Sequence, residues 1–120
     1  MNAKILTLAV LLAIPLSSQA FERKDAELAM TEATTAVQGA ERTDAAPADL
    51  TVAHDMIASA QGAYDHRRWQ ESVFFAENAR VDADLAGARS RQRHAEAATL
   101  EMERTVKSLR DQVNSNGGQP

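Results

Sequence analysis

Alanines 76, 79, 83 and 86, followed by Ser90, recur at steps of three and four residues, and this spacing is the strongest constraint on the fold. At about 100° per residue these positions form one narrow seam on a helix, while Phe74, Val81, Leu85 and Ala88 fall on nearly the opposite side. Glu77, Arg80 and Asp84 occupy one flank between the two faces, and Asp82 and Arg89 the other. The segment therefore reads as a helix wet along two edges and apolar on two faces, one small and one bulky. Such a helix calls for neighbours on both sides. The small seam permits close approach of another helix backbone, expected to be the preceding helix returning antiparallel through a short turn. The bulky face is open either to the first helix or to a partner.

The rest of the chain supports an all-helical reading. About twenty alanines follow residue 20, β-branched residues rarely run together, and no period-two alternation marks a strand. A first helix is predicted over about 22–42, with Ala26, Ala29, Met30, Ala33, Val37 and Ala40 on one stripe. Pro47 suits the first position of a second helix over 47–64, because its missing N–H is one that the first turn cannot pair. Leu50, Ala53, Ile57, Ala60 and Tyr64 mark its buried stripe. A third helix starts near Trp69 and is predicted to reach residue 113; beyond Ser90 its apolar stripe restarts in a shifted register at Met102, Val106, Leu109 and Val113. Gly87 costs about 1 kcal/mol there without ending the helix. Residues 114–120 read as a frayed tail. The predicted fold is all-α: a small antiparallel hairpin or three-helix bundle with a long, coiled-coil-like C-terminal helix. Its large apolar side chains are few, so the core must be thin, and marginal monomer stability or self-association is expected.

The first twenty residues predict a compartment. Lys4 precedes an apolar run from Ile5 to Leu16, and Ser18 and Ala20 fit the small positions that a signal peptidase reads, with cleavage between Ala20 and Phe21. The run is short of the roughly 20 residues that span a bilayer, so no transmembrane helix is expected after cleavage. The chain has no cysteine, hence no disulfide framework and no lipobox at which it could be lipidated, and it must hold together by packing. A periplasmic protein, with at most peripheral association with the envelope, is the expectation.

Charge removes one class of partner and suggests how the helices pair. The balance from residue 21 onward is acidic, which argues against nucleic-acid binding. The two halves differ in sign: residues 21–66 carry Arg23, Lys24 and Arg42 against nine carboxylates, whereas residues 67–110 carry nine cations against seven. Antiparallel packing would set these charges along the rims, each exposed pair contributing only about 0.2–1 kcal/mol.

Candidate sites are sparse. Tyr64, Arg67, Arg68 and Trp69 could hold a sugar or an anionic group by stacking and charge, or Trp69 could simply plug the open end of a hairpin. His54, His66 and His94 lie near Asp55, Asp65 and Glu96, but no pairing places two ligands on one helical face, so neither a metal nor a cofactor is expected. Arg89, Arg91, Arg93 and His94 read as a solvated face, since Arg91 points away from Arg89 and Arg93. Neither a nucleophile-elbow serine nor a glycine-rich phosphate loop is present, so no enzymatic activity is expected.

The order "APADLTVAHDMIASAQGAYDHRRWQESVFFAENARVDADLAGARSR" has a proline before an alanine- and leucine-bearing helix, then a short turn. A tryptophan follows, with alanines at three- and four-residue steps and an aspartate-alanine pair. In this it resembles the domain-of-unknown-function family DUF4398, over roughly residues 24–110. The resemblance implies an exported bacterial α-helical domain, often on lipoproteins or joined to an outer-membrane, peptidoglycan-binding module; it supplies no catalytic residues. This sequence departs from that pattern in having neither a lipobox cysteine nor such a module. The segment from Trp69 to Ala79 is also similar to one tetratricopeptide hairpin, but no second copy follows. Two functions fit these features. One is an envelope interaction or structural protein that offers Phe74, Val81 and Leu85, or the stripe Met102, Val106, Leu109 and Val113, to another protein or to itself. The other is a small binder of lipid, peptidoglycan fragment or aromatic compound at Tyr64 and Trp69.

Overall fold

Small residues on three helices decide how this chain packs. The computed structural model describes residues 16–118, which form α1 (Leu16–Glu41), α2 (Pro47–Asp65) and α3 (Trp69–Asn116), with no strand among them. The all-α architecture with a long C-terminal helix is borne out. Most of the expected export signal, residues 1–15, lies outside the described residues, as do Gln119 and Pro120 of the expected tail. In the uncut chain α1 begins at Leu16 rather than near Glu22, since no glycine or proline separates the two. At the other end α3 runs on through Asn114, Ser115 and Asn116 before Gly117.

Both interhelical corners close by the same device. At the end of α1 the Asp44 N–H donates to Glu41 O at 3.0 Å and the Ala45 N–H to Ala40 O at 3.2 Å, with Asp44 at φ 55°. At the end of α2 the Arg67 N–H donates to Tyr64 O and the Arg68 N–H to Ala63 O, both at 2.9 Å, with Arg67 at φ 58°. These are Schellman caps in which a residue other than glycine takes the left-handed position. Ala46, preceding Pro47, is extended at φ −60°, ψ 136°, as a residue before proline should be.

The alanine seam of α3 takes both neighbours. Ala76, Ala79, Ala83 and Ala86 are essentially inaccessible. The lower half of the seam packs with Ala29 and Ala33 of α1 and Ala60 of α2, and the upper half with Val37 and Ala40 of α1 and Leu50 and Ala53 of α2. Met30, Met56, Ile57, Val73 and Phe75 wall the edges. The first helix, for which the sequence offered only the bulky face, instead takes the small face alongside α2 and leaves the bulky face bare. The reason lies in α1 itself: its own stripe of Ala26, Ala29, Ala33 and Ala40 matches a small surface, allowing backbone approach that Phe74 or Leu85 would prevent.

Serines mark both ends of the seam. Ser72 is fully buried and its Oγ donates to Ala60 O of α2 at 2.9 Å; Ser90 is buried and its Oγ donates to Thr43 O, just after α1. Gly87 lies against Ala40 between them. Rim ion pairs join the acidic and basic halves at Arg80–Glu32 (3.9 Å) and Arg93–Asp49 (3.2 Å).

Candidate functional site

The helix that fills the core on one side presents its apolar residues to solvent on the other. Phe74 is 61% exposed, and Val81 and Leu85 are likewise open. Phe74 meets Phe75 edge-on, with ring centroids 5.7 Å apart, and Phe75 in turn packs against the lower core cluster, so the patch is rooted in the bundle. Met102, Val106, Leu109 and Val113 are exposed too, Leu109 by 56%.

Past Ser90 the third helix leaves its neighbours. Every residue from Arg91 to Asn116 is exposed, about 26 residues or roughly 39 Å of helix at 1.5 Å per residue. Beyond Arg93, whose guanidinium reaches Asp49 of α2 at 3.2 Å, its side-chain hydrogen bonds stay within the helix, such as Thr99 Oγ1 to Ala95 O and Thr105 Oγ1 to Glu101 O. A helix supported only by itself is marginal in water, and proteins stabilise such helices by packing an apolar face. This arm has such a face and buries none of it against the other described residues. Leu28, Val52 and Leu100 are also exposed, but singly, which is ordinary for a protein surface.

The second candidate, at the α2–α3 corner, is drawn together only in part. Tyr64 and Trp69 meet edge-on, with centroids 5.0 Å apart and planes at 68°. Arg23 of α1 lies 6.0 Å from the Tyr64 ring centre, and its Nε donates to Tyr64 Oη and to Glu27 Oε1, both at 3.0 Å. The Tyr64 hydroxyl donates to the same Glu27 oxygen. Those two hydrogen bonds, first Tyr64 and then Arg23, hold the Glu27 carboxyl below the usual glutamate range. Arg23's own hydrogen bonds, first to Tyr64 and then to Glu27, raise its guanidinium above the usual arginine value, so it is firmly cationic. Tyr64 therefore works as a joint between α1 and α2, with Trp69 leaning on it.

Neither arginine of this corner lines the hollow beside Trp69. Arg68 pairs with Glu71 at 2.9 Å, and Arg67 supplies the left-handed turn residue. The hollow beside Trp69, about 240 Å³, is bordered by Glu22, Asp25, Gln70 and Val73, so its charged rim is acidic. The Arg23–Tyr64–Glu27 joint had no local signal, because Glu27 and Tyr64 stand 37 positions apart.

The remaining candidates scatter. His54 faces Glu41 at 3.6 Å, His66 Nδ1 lies 2.7 Å from Gly62 O, and His94 is on the exposed arm. Among the described residues no group of three or more acidic, histidine or cysteine side chains could hold a metal ion. Of the arginine cluster, Arg93 is engaged with Asp49, while Arg89 and Arg91 are exposed. No described helix is long and apolar enough to cross a membrane. Comparison with family models, with curated proteins and with solved structures found no match.

Proposed function

We propose that this chain is a non-catalytic helical interaction protein of the bacterial cell envelope, exported by its first twenty residues, whose α3 presents an apolar face to another helix. Membership of DUF4398 belongs to the same proposal and rests on the residue order from Ala46 to Arg91. The observation that supports the reading is the division of α3 into a closed alanine seam and an open bulky face, continued by an arm that no other described element covers. A fold that needed α3 only as a core element would end it near Ser90.

The test is photo-crosslinking in the living cell from a reactive residue at Leu85 and, separately, at Leu109, with mass spectrometry of the captured bands. A distinct envelope protein or a second copy of the chain, lost in Leu85→Asp or Leu109→Asp proteins of unchanged helicity, is the expected result. No capture from either position would sink the reading. The hollow beside Trp69 supports a second one, a binder of a small aromatic or cationic envelope compound held against the indole with Glu22 and Asp25 nearby. That reading predicts a ligand-dependent shift of Trp69 fluorescence, and a flat response across envelope extracts would dismiss it.

A further inference from the structure

The two apolar stripes of α3 are one. An ideal helix turns through 700° in seven residues, so a strict heptad row drifts by about 20° per repeat instead of running straight. Phe74, Val81, Ala88, Ala95, Met102 and Leu109 stand seven apart, and so do Asn78, Leu85, Gln92, Thr99, Val106 and Val113. The two rows interleave at steps of four and three, as d and a positions of a heptad. The shifted register after Ser90 is this drift, carried by a helix that is continuous from Trp69 to Asn116. From Phe74 to Val113 the pattern exceeds five heptads, more than the three or four that a coiled coil needs. The seam points away from α1 and α2 along its whole length, its large apolar residues all exposed.

We propose that the occupant of this seam is a second copy of the chain, its α3 lying parallel and in register with the first to form a two-stranded coiled coil. The proposal rests on the reading that the outer face of α3 receives a helix, and it names which one. Three observations select it.

The first is the placement of polar layers. With the strands parallel and in register, Asn78, Gln92 and Thr99 each meet their own copy; the Asn78 and Gln92 amides each spend one N–H on Phe74 O and Glu96 Oε1 of their own helix and keep the second N–H and the carbonyl oxygen for the seam, while the Thr99 hydroxyl stays on Ala95 O and forms a small, matched layer. With the strands antiparallel and fully overlapped, Asn78 faces Leu109 and Gln92 faces Ala95, leaving the amides against apolar groups. A single asparagine at an a position is a known register-setting device.

The second is charge along the flanks. The parallel arrangement sets Asp84 of one copy beside Arg89 of the other, and Arg91 beside Glu96, with only Glu77 and Asp82 alike in sign. The antiparallel one gives a single opposite pair per strand, Arg89 with Glu96, against the like pair Asp82 with Glu103. Asp84, Arg89 and Arg91 have no ion-pair partner among the described residues. Both favourable pairs fall beside Ala88, Gln92 and Ala95, where the apolar seam is thinnest. The third observation is side-chain shape: β-branched Val106 and Val113 at a, with Leu109 at d, favour two strands over more.

The absence of cysteine makes the geometry directly testable. In the full chain as exported, Val106→Cys under mild oxidation should form a symmetric disulfide dimer, while Ala97→Cys, on the outer side of the same arm, should not. An equimolar mixture of Val81→Cys and Val106→Cys chains should give each symmetric dimer and little of the mixed one. Sedimentation equilibrium of the cysteine-free chain at tens of micromolar should give twice the monomer mass, reverting to monomer in Leu109→Asp. A mixed 81–106 disulfide in preference to the symmetric products would overturn the parallel register. A monomer at that concentration would overturn self-pairing altogether. If the monomer nonetheless captures a distinct envelope protein from Leu85 or Leu109 in the cell, the interaction function stands and only the second copy falls; if it captures nothing, both fall.

Discussion

Replacing Ala79 by leucine should destabilise the bundle more than removing the ring of Phe74, although phenylalanine is by far the larger apolar group. Ala79 has no accessible surface and sits among Ala29, Ala33, Ala60 and Ala76, where α1 and α2 close on α3 from both sides. Three added carbons would contribute about 2.4 kcal/mol at roughly 0.8 kcal/mol per buried CH₂ if room existed for them. Helices packed through alanine leave no such room, so the added volume must push a backbone aside. Overpacking costs typically about 1–3 kcal/mol, and here the strain falls on both interfaces of α3 at once, which places the net loss near 2–3 kcal/mol. For a domain of this size that lowers Tm by about 10–20 °C. Phe74→Ala, by contrast, strips a ring already 61% exposed and touching mainly Phe75, so the loss to the monomer stays below about 1 kcal/mol. The assay is urea unfolding of both variants at low protein concentration. Circular dichroism follows the helices and Trp69 emission follows the corner that it shares with Tyr64. Unchanged or raised stability in Ala79→Leu would refute close packing at the seam; a loss in Phe74→Ala equal to that of Ala79→Leu would refute the assignment of the core to the small face.

Three further changes probe separate joints. Gly87→Ala should stabilise by about 0.5–1 kcal/mol, because the new Cβ would lie 3.5 Å from Ala40 Cα, an ordinary contact, while the helix gains propensity; a lower urea midpoint would mean that α1 and α3 approach more closely than this. Arg67→Gly should stabilise by roughly 0.5–1 kcal/mol by relieving the left-handed residue of the α2 cap, and a loss of stability on thermal unfolding would contradict that geometry. Glu27 is held below its ordinary range by Tyr64 and Arg23, so its contribution is present above the unfolded-state value and is lost as pH falls through the lower folded-state one. Carbon-detected NMR titration of its carboxyl should give a depressed midpoint that Tyr64→Phe moves back upward; an identical midpoint in the two proteins would exclude the tyrosine hydrogen bond.

What the sequence made legible divides by range. The alanine seam, the all-helical class and the Tyr64–Trp69 corner are local, set by spacings of three to five residues, and each is visible in a short window. The partner chosen by α1 is not local. Residues 74–88 offer two apolar faces, and only the match between small stripes, Ala26, Ala29, Ala33 and Ala40 against Ala76, Ala79, Ala83 and Ala86, settles which one α1 takes. The same holds for Ser72, whose hydroxyl reads as one more polar group on the helix until α2 brings the Ala60 carbonyl to it.

The heptad seam was hidden for a different reason. Its middle layers, Ala88, Gln92, Ala95 and Thr99, are small or polar, so an eye searching for large apolar residues finds two patches with a gap between them. A straight 100° wheel then places the patches about 60° apart and makes them look unrelated, although twenty degrees of drift per repeat over three repeats accounts for the whole difference. The gap has a physical sense of its own. It begins where α1 and α2 leave α3, and there the small layers are flanked by Asp84, Arg89, Arg91 and Glu96, so pairing at that level depends on charge and on matched polar layers more than on apolar area. Strong apolar layers at both ends would hold two helices together in several registers; weak, self-matching layers in the middle penalise every register but one. A coiled coil of this composition gives up affinity in its centre and gains orientation: paired in the matched register, two copies set both bundles at the same end of the joined arms.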